Sequence, residues 1–253
     1  MDFRLDGGLL VWALLLFRFG GLFLIAPVFS AAVVPVRIKT ALTVLLSVVL
    51  LPVALETMAT PLAFTPETVM TEVVVGLTIG LGAAVFLGGA EVAGDLMSIQ
   101  MGLSGASIVD PLSQNQVPVV GQLLSLTTLV LILALDGHLF MVEAVHRSFE
   151  LIPVGSIADF QANAANAVRI GSSLFLLGLR FAGPVIGALM VGQVALGILA
   201  RTVPQMNVLM MAFPLQIAVG LFVLAASLPA VATAVSSWPD IYGEFVAELL
   251  GRL

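Results

Sequence analysis

The chain has 253 residues, of which 60% are hydrophobic and only 9% charged, a composition far outside the range of soluble domains and that of an integral membrane protein. It has no cysteine, which excludes disulfides and thiolate metal sites, and its two histidines leave little for any other transition-metal centre. The formal net charge of -6, with nine Lys and Arg scattered along the chain, argues against nucleic acid, whose phosphates require clustered cations.

The N-terminus, MDFRLDGG, carries two acids and one arginine, which is not the basic start of a secretory signal, so the first apolar run is expected to stay in the protein. Apolar runs then cover Gly7 to Ser30, Ile38 to Leu55, Val69 to Ala90, Val119 to Leu135, Ile170 to Ala200 and Met206 to Ser236. Each meets or nearly meets the roughly 20 residues that a helix needs to cross hydrocarbon. The alternating pattern of a membrane barrel is not in evidence. The expected fold is all-α, with about six hydrophobic helical segments. Gly20-Gly21, Pro27, Gly88-Gly89, Pro184, Pro214 and Pro229 predict that several are kinked or broken.

Arg37 and Lys39 after the first run, against the acidic second loop with Glu56 and Glu67, place the first loop in the cytoplasm, together with Arg201. Arg4, Arg147, Arg169 and Arg252 fall on the other side, so the whole-chain count gives no orientation. That balance suggests segments other than six ordinary spans.

Charges also sit inside or at the edge of apolar runs: Arg18, Arg180, Glu72, Glu91 and Asp95. A charge in hydrocarbon costs several kcal/mol unless paired or hydrated, so each should face a bundle interior, a partner subunit or water. A buried pair of Arg18 or Arg180 with one of the acids is a simpler reading than a substrate site. Gly76 with Gly80, and Gly183 with Gly187, have the spacing that lets helices approach closely.

Between the third and fourth runs lies MGLSGASIVDPLSQNQVP, residues 101–118, without Lys or Arg. Two glycines and Pro111 and Pro118 argue against a regular helix, and such polar irregular backbone survives beside membrane segments only where it is buried in protein or lines water. It reads as a pore-side loop, with an ordinary solvent connector as the alternative. Gly102-Leu103-Ser104-Gly105 resembles the GxSG of rhomboid proteases, with His138 and His146 as bases, but Asp110-Pro111 and the SQNQ run are poor material for the helix that such a serine opens. Neither a P-loop nor HExxH occurs, and no cofactor is expected. Asp136, His138, Glu143 and His146 read as the polar end of a span followed by an amphipathic segment ending at Pro153-Val154-Gly155.

Several motifs in order resemble the FliR family of the flagellar type III export gate, whose injectisome counterpart is SctT. They are the arginine-bearing first segment with APVFS at 26–30, Val34-Pro35 and the basic pair, VDP at 109–111, Gly137-His138, and SFELIPVG at 148–155. The longest is LGILARTVPQMNVLMMAFPLQIAVGL at 196–221, which leans toward the flagellar branch. Asp136 departs from the asparagine expected before Gly-His in many relatives.

The resemblance implies a FliP-like helical region over 1–168 and a FliQ-like helical hairpin over 169–253. It implies assembly with FliP-like and FliQ-like subunits and an FlhB-like protein in the bacterial inner membrane, where unfolded substrates pass through a non-enzymatic pore. Ser104 to Pro118 matches the plug loop, with Ser104, Gly105, Ala106, Ser107, Asp110, Pro111, Gln114, Asn115, Gln116 and Pro118 as its gate residues. Arg201, Pro204, Gln205 and Asn207 form the hairpin tip and a subunit contact, while Arg18, Arg180, Glu91 and Asp95 are buried or packing charges. The rival from another class is a secondary transporter holding a small anionic solute on Arg18 or Arg180, which predicts matching broken helices in two halves.

Overall fold

A computed structural model of the chain describes residues 5–31, 34–59, 62–103, 119–157, 163–203, 205 and 208–251. Among them every regular element is a helix: α1 Leu5–Ile25, α2 Pro27–Ser30, α3 Val36–Thr57, α4 Pro66–Gln100, α5 Val119–Ala134, α6 Gly137–Leu151, α7 Asn163–Thr202, α8 Val208–Ser236 and α9 Trp238–Leu250. Five of these are long and apolar enough to cross a membrane, or six if α5 and α6 count as one broken span.

Helix ends follow local chemistry. Ala26 takes an extended conformation before Pro27, which stops α1 where a proline would otherwise enter the helix. Pro66 opens α4, and Thr65 and Thr68 cap it reciprocally: the Thr68 N–H donates to Thr65 Oγ1 at 3.3 Å and the Thr65 N–H to Thr68 Oγ1 at 3.0 Å. Asp136, at φ 57° and ψ 27°, separates α5 from α6. This left-handed conformation suits the short polar side chains of Asn and Asp, so Asp136 fills the position on backbone grounds, with its side chain exposed.

The helices are continuous at several of the marked positions. α4 runs unbroken through Gly88-Gly89 and past Glu91 and Asp95, and α7 and α8 continue through Pro184, Pro214 and Pro229. The glycine pair serves packing instead: a Cβ on Gly88 would meet Leu174 at 3.2 Å, and one on Gly89 would meet Leu177 Cβ at 2.9 Å. The short helix α9 was not foreseen from the sequence, because its apolar positions alternate with Asp240, Glu244 and Glu248.

The chain forms two compact units, Met1–Val85 with Ile132–Gly171 and Ser237–Leu253, and Phe86–Leu131 with Ser172–Ser236. In the first, α1 crosses α4 with backbones almost touching. A Cβ on Gly76 would lie 1.9 Å from the Arg18 carbonyl oxygen, and one on Gly21 would lie 2.5 Å from that of Val73. α9 closes this unit by stacking Trp238 on Tyr242, ring centroids 4.8 Å apart, while the Tyr242 hydroxyl donates to the Ile79 carbonyl at 3.1 Å. In the second unit, Gly94 of α4 and Gly121 of α5 meet so closely that a Cβ on Gly94 would fall 2.2 Å from the Gly121 Cα. The α7 backbone packs on α4 where Gly178 faces Val92 and Gly89.

Of the two spaced glycine pairs, Gly76 and Gly80 are thus at a helix crossing, whereas nothing lies within 4 Å of a Cβ on Gly183 or Gly187. Gly76→Ala is expected to lower the stability of the detergent-solubilised chain by about 2 kcal/mol or more, because backbone rather than a pliable side chain must give way. Gly187→Ala should leave it unchanged. Thermal unfolding of the two variants side by side checks this, and equal melting would refute the crossing.

Candidate functional site

Two features stand out where polar chemistry interrupts the apolar helices. The first is Arg18, fully buried in the middle of α1. Its Nε donates to Glu72 Oε2 of α4 at 2.5 Å, one terminal nitrogen to Ser148 Oγ of α6 at 2.9 Å, and the other to the Ile152 carbonyl at 3.0 Å. The guanidinium also lies 5.1 Å from the centroid of the Phe149 ring. Glu72, equally buried, uses its other oxygen to accept the Gly155 N–H at 2.9 Å.

Gly155 can present that N–H because it sits at φ +84°, in a turn that also takes the Ala59 N–H onto the Val154 carbonyl at 3.0 Å. The ion pair is therefore surrounded by hydrogen bonds on both sides, the condition under which two charges are tolerated away from water. Ser148, Ile152 and Gly155 all belong to the SFELIPVG run, yet sequence reasoning gave them no role beyond resemblance. Their only advance signal was the presence of an unpaired arginine and acid elsewhere. Arg18, enclosed and satisfied, is not open to a solute.

The second feature is the seat of residues 104–118, which themselves lie outside the described residues, as do all the plug positions from Ser104 to Pro118. α4 ends in a Schellman arrangement: the Leu103 N–H donates to the Ser98 carbonyl at 3.0 Å and the Gly102 N–H to that of Ile99 at 3.1 Å, with Gly102 at φ +76°. A Cβ on Gly102 would strike the Phe213 ring of α8 at 2.7 Å. One residue type thus meets both a backbone and a packing demand. The chain leaves α4 about 9 Å beyond the Gly94–Gly121 contact and re-enters α5 two residues before it, so both ends of the segment are anchored on adjacent helices. Gly102 reads from the sequence as one of two glycines opposing a regular helix, whereas Gly94 and Gly121 carry no such signal, because isolated glycines are common in membrane helices.

The other sequence-selected charges do not gather. Arg180 and Glu91 are exposed and form no ion pair among the described residues. Asp95 is half-buried, with Oδ1 beside Gly121 and without a hydrogen-bond partner there. Arg201 is exposed in the last turn of α7, where a cation complements the free carbonyls of the helix end, and Gln205 is exposed beyond it. Pro204 and Asn207 lie outside the described residues. Asp136, His138 and His146 form no joint centre: Asp136 is exposed, His138 leaves Nδ1 buried without a partner, and His146 meets the Phe149 ring edge-on at 6.4 Å.

The family described as bacterial export proteins, family 1, matches residues 9–239. The chain is 32% identical over 210 residues to the flagellar biosynthetic protein FliR of Escherichia coli strain K12, covering 82% of this chain and 80% of that protein. It is 30% identical over 239 residues to the FliR of Caulobacter vibrioides, covering 93% and 94%, and 33% identical over 156 residues to that of Bacillus subtilis strain 168, covering 60% of each.

Because Arg18 and Glu72 are each other's compensation, removing one should cost more than removing both. Arg18→Ala or Glu72→Ala alone is expected to destabilise the chain by about 3–5 kcal/mol, whereas the apolar pair Arg18→Met with Glu72→Leu should recover most of that loss. Membrane-fraction abundance and thermal unfolding of the three variants provide the check. Additive losses in the double variant would contradict the pairing.

Proposed function

The chain belongs to the bacterial export proteins, family 1, and is a membrane subunit of the flagellar export apparatus, and we propose that within it the chain lines and closes the channel for unfolded flagellar proteins. On this reading it is a pore and gate subunit without catalytic activity in the bacterial inner membrane. It assembles with FliP-like and FliQ-like subunits and an FlhB-like protein. Residues 1–168 are its FliP-like part and 169–253 its FliQ-like hairpin.

The observation that carries the proposal is the seat of residues 104–118. A segment without Lys or Arg, carrying three Ser and the Gln114-Asn115-Gln116 run, starts and ends at two helices held together by the Gly94–Gly121 contact. A tether fixed at both ends keeps such a segment beside one place on the two helices. Small polar residues fill a wet lumen without the rigidity of a packed helix, and gating elements come from the low-stability end of a structure. Arg180, Glu91 and Asp95, which enter no ion pair among the described residues, support assembly, since charges in apolar helices favour partners on another subunit or water. Arg201, with five donors and no acidic neighbour in sequence, suits carbonyls or a carboxylate on a neighbouring subunit.

Deleting part of Gly105 to Gln116 is expected to let small ions through the inner membrane while partner subunits still co-purify. Conductance or osmotic sensitivity of cells carrying the deletion is the measurement, and an assembled complex as tight as wild type would reduce the segment to a connector. Ser104→Ala should leave motility near wild type, and loss of a measurable proteolytic activity in that variant would restore an enzymatic reading. At the hairpin tip, Arg201→Ala should weaken recovery of the partners more than Arg201→Lys; wild-type recovery in both would remove the contact.

A further inference from the structure

Helices α6 and α9 enclose a cleft of about 420 Å³ that plays no part in the channel reading. Phe140, Glu143, Ala144, Arg147, Ser148 and Leu151 line it from α6, a single helical face repeating every three or four residues. The α9 wall runs from Pro239 to Leu250. Each wall extends over about 16 Å of helix, so the space is an elongated groove of some three turns and not a round hole. Buried Ala144, Val246 and Leu250 make most of its floor apolar, with the Ser148 hydroxyl among them.

The two rims differ in charge. On α6, Glu143 is neutralised by Arg147 one turn later, at 2.7 Å. On α9, Asp240 and Glu244 are exposed one turn apart, enter no ion pair among the described residues, and share a helix that contains no Lys or Arg. Between them Gly243 lines the groove, and a Cβ placed there would meet nothing within 4 Å, so the groove is open at its acidic edge. Neither α6 nor α9 is long enough to cross a membrane by itself.

We propose that this groove is a docking site for a short amphipathic helix of another protein, apolar on one face and carrying two basic residues one turn apart that meet Asp240 and Glu244. The length and apolar floor fit a helix laid into a groove, and the unpaired carboxylates give the charge that it must complement. A second copy of this chain would bring its own acidic α9 against them, and an anionic lipid surface would be repelled. This assignment stands independently of the plug, since none of its residues belongs to residues 104–118.

The test uses the full-length chain in living cells, with the photoreactive residue p-benzoylphenylalanine in place of Leu151, which is exposed at one end of the groove. The expected product is a covalent adduct to one protein segment, identified by mass spectrometry, that bears two Lys or Arg one turn apart. Its yield should fall at least tenfold when Asp240→Lys and Glu244→Lys are added, and less with Asp240→Asn and Glu244→Gln. Filling the groove with Gly243→Phe should impair motility at unchanged protein level and melting temperature, whereas Gly243→Ala should not. No adduct, an adduct to lipid or to a second copy, a captured segment without basic residues, or a yield indifferent to charge reversal would each overturn the proposal. So would wild-type motility in the stably folded Gly243→Phe variant.

Discussion

The pairing of Arg18 with Glu72 ties α1 to α4 in the first unit and, through further hydrogen bonds, to α6 and the turn after it. A guanidinium and a carboxylate away from water persist only if each is compensated by the other and by further dipoles. Four partners converge to do so: Glu72 from α4, Ser148 from α6, and the backbone at Ile152 and Gly155 beyond it. Because those groups are fixed on two helices and a turn, satisfying the charge fixes the register of α1 against α4 and the path of the chain after α6. A buried ion pair contributes little net stability compared with an apolar replacement, so its effect here is better described as selecting one arrangement among several apolar packings.

Close glycine crossings make that geometry reachable. The Arg18 side chain meets Glu72 because α1 and α4 approach at Gly21, Gly76 and Gly80, and Gly76 lies against the Arg18 backbone itself. The same device recurs in the second unit at Gly94 and Gly121, where its consequence is different: it holds together the helices that begin and end the polar segment 104–118. In lipid, where apolar surface gains nothing by leaving the solvent, such backbone proximity and internal hydrogen bonding are what hold helices together.

Burial is uneven among the apolar helices. More than half of the apolar window of α4 is enclosed within the chain, but only 11% of that of α3 and 22% of that of α8. Large side chains such as Phe222 and Val191 are accordingly exposed. In a membrane subunit of an export apparatus those faces lie against lipid or neighbouring subunits. Arg180 and Glu91, exposed and without an ion pair among the described residues, favour polar neighbours over hydrocarbon at their positions. The docking groove between α6 and α9 is distinct in kind, since its rim is charged and neither helix is long enough to span by itself.

Composition and apolar run lengths determined that the chain is an all-α membrane protein, because every backbone group in hydrocarbon must be satisfied within its own helix. Runs of motifs such as LGILARTVPQMNVLMMAFPLQIAVGL determined the family. The sequence also marked Arg18 as needing compensation, since the cost of a lone charge is local and independent of fold. It did not identify the partner: Glu72, Glu91 and Asp95 are chemically alike, and they are separated by where along α4, and on which face, α1 crosses it. That choice, the uninterrupted course of α4 through Gly88-Gly89, and the meeting of Gly94 with Gly121 were decided by tertiary structure. They depend on which backbones approach closely enough to touch, and that is a property of pairs of helices distant in sequence.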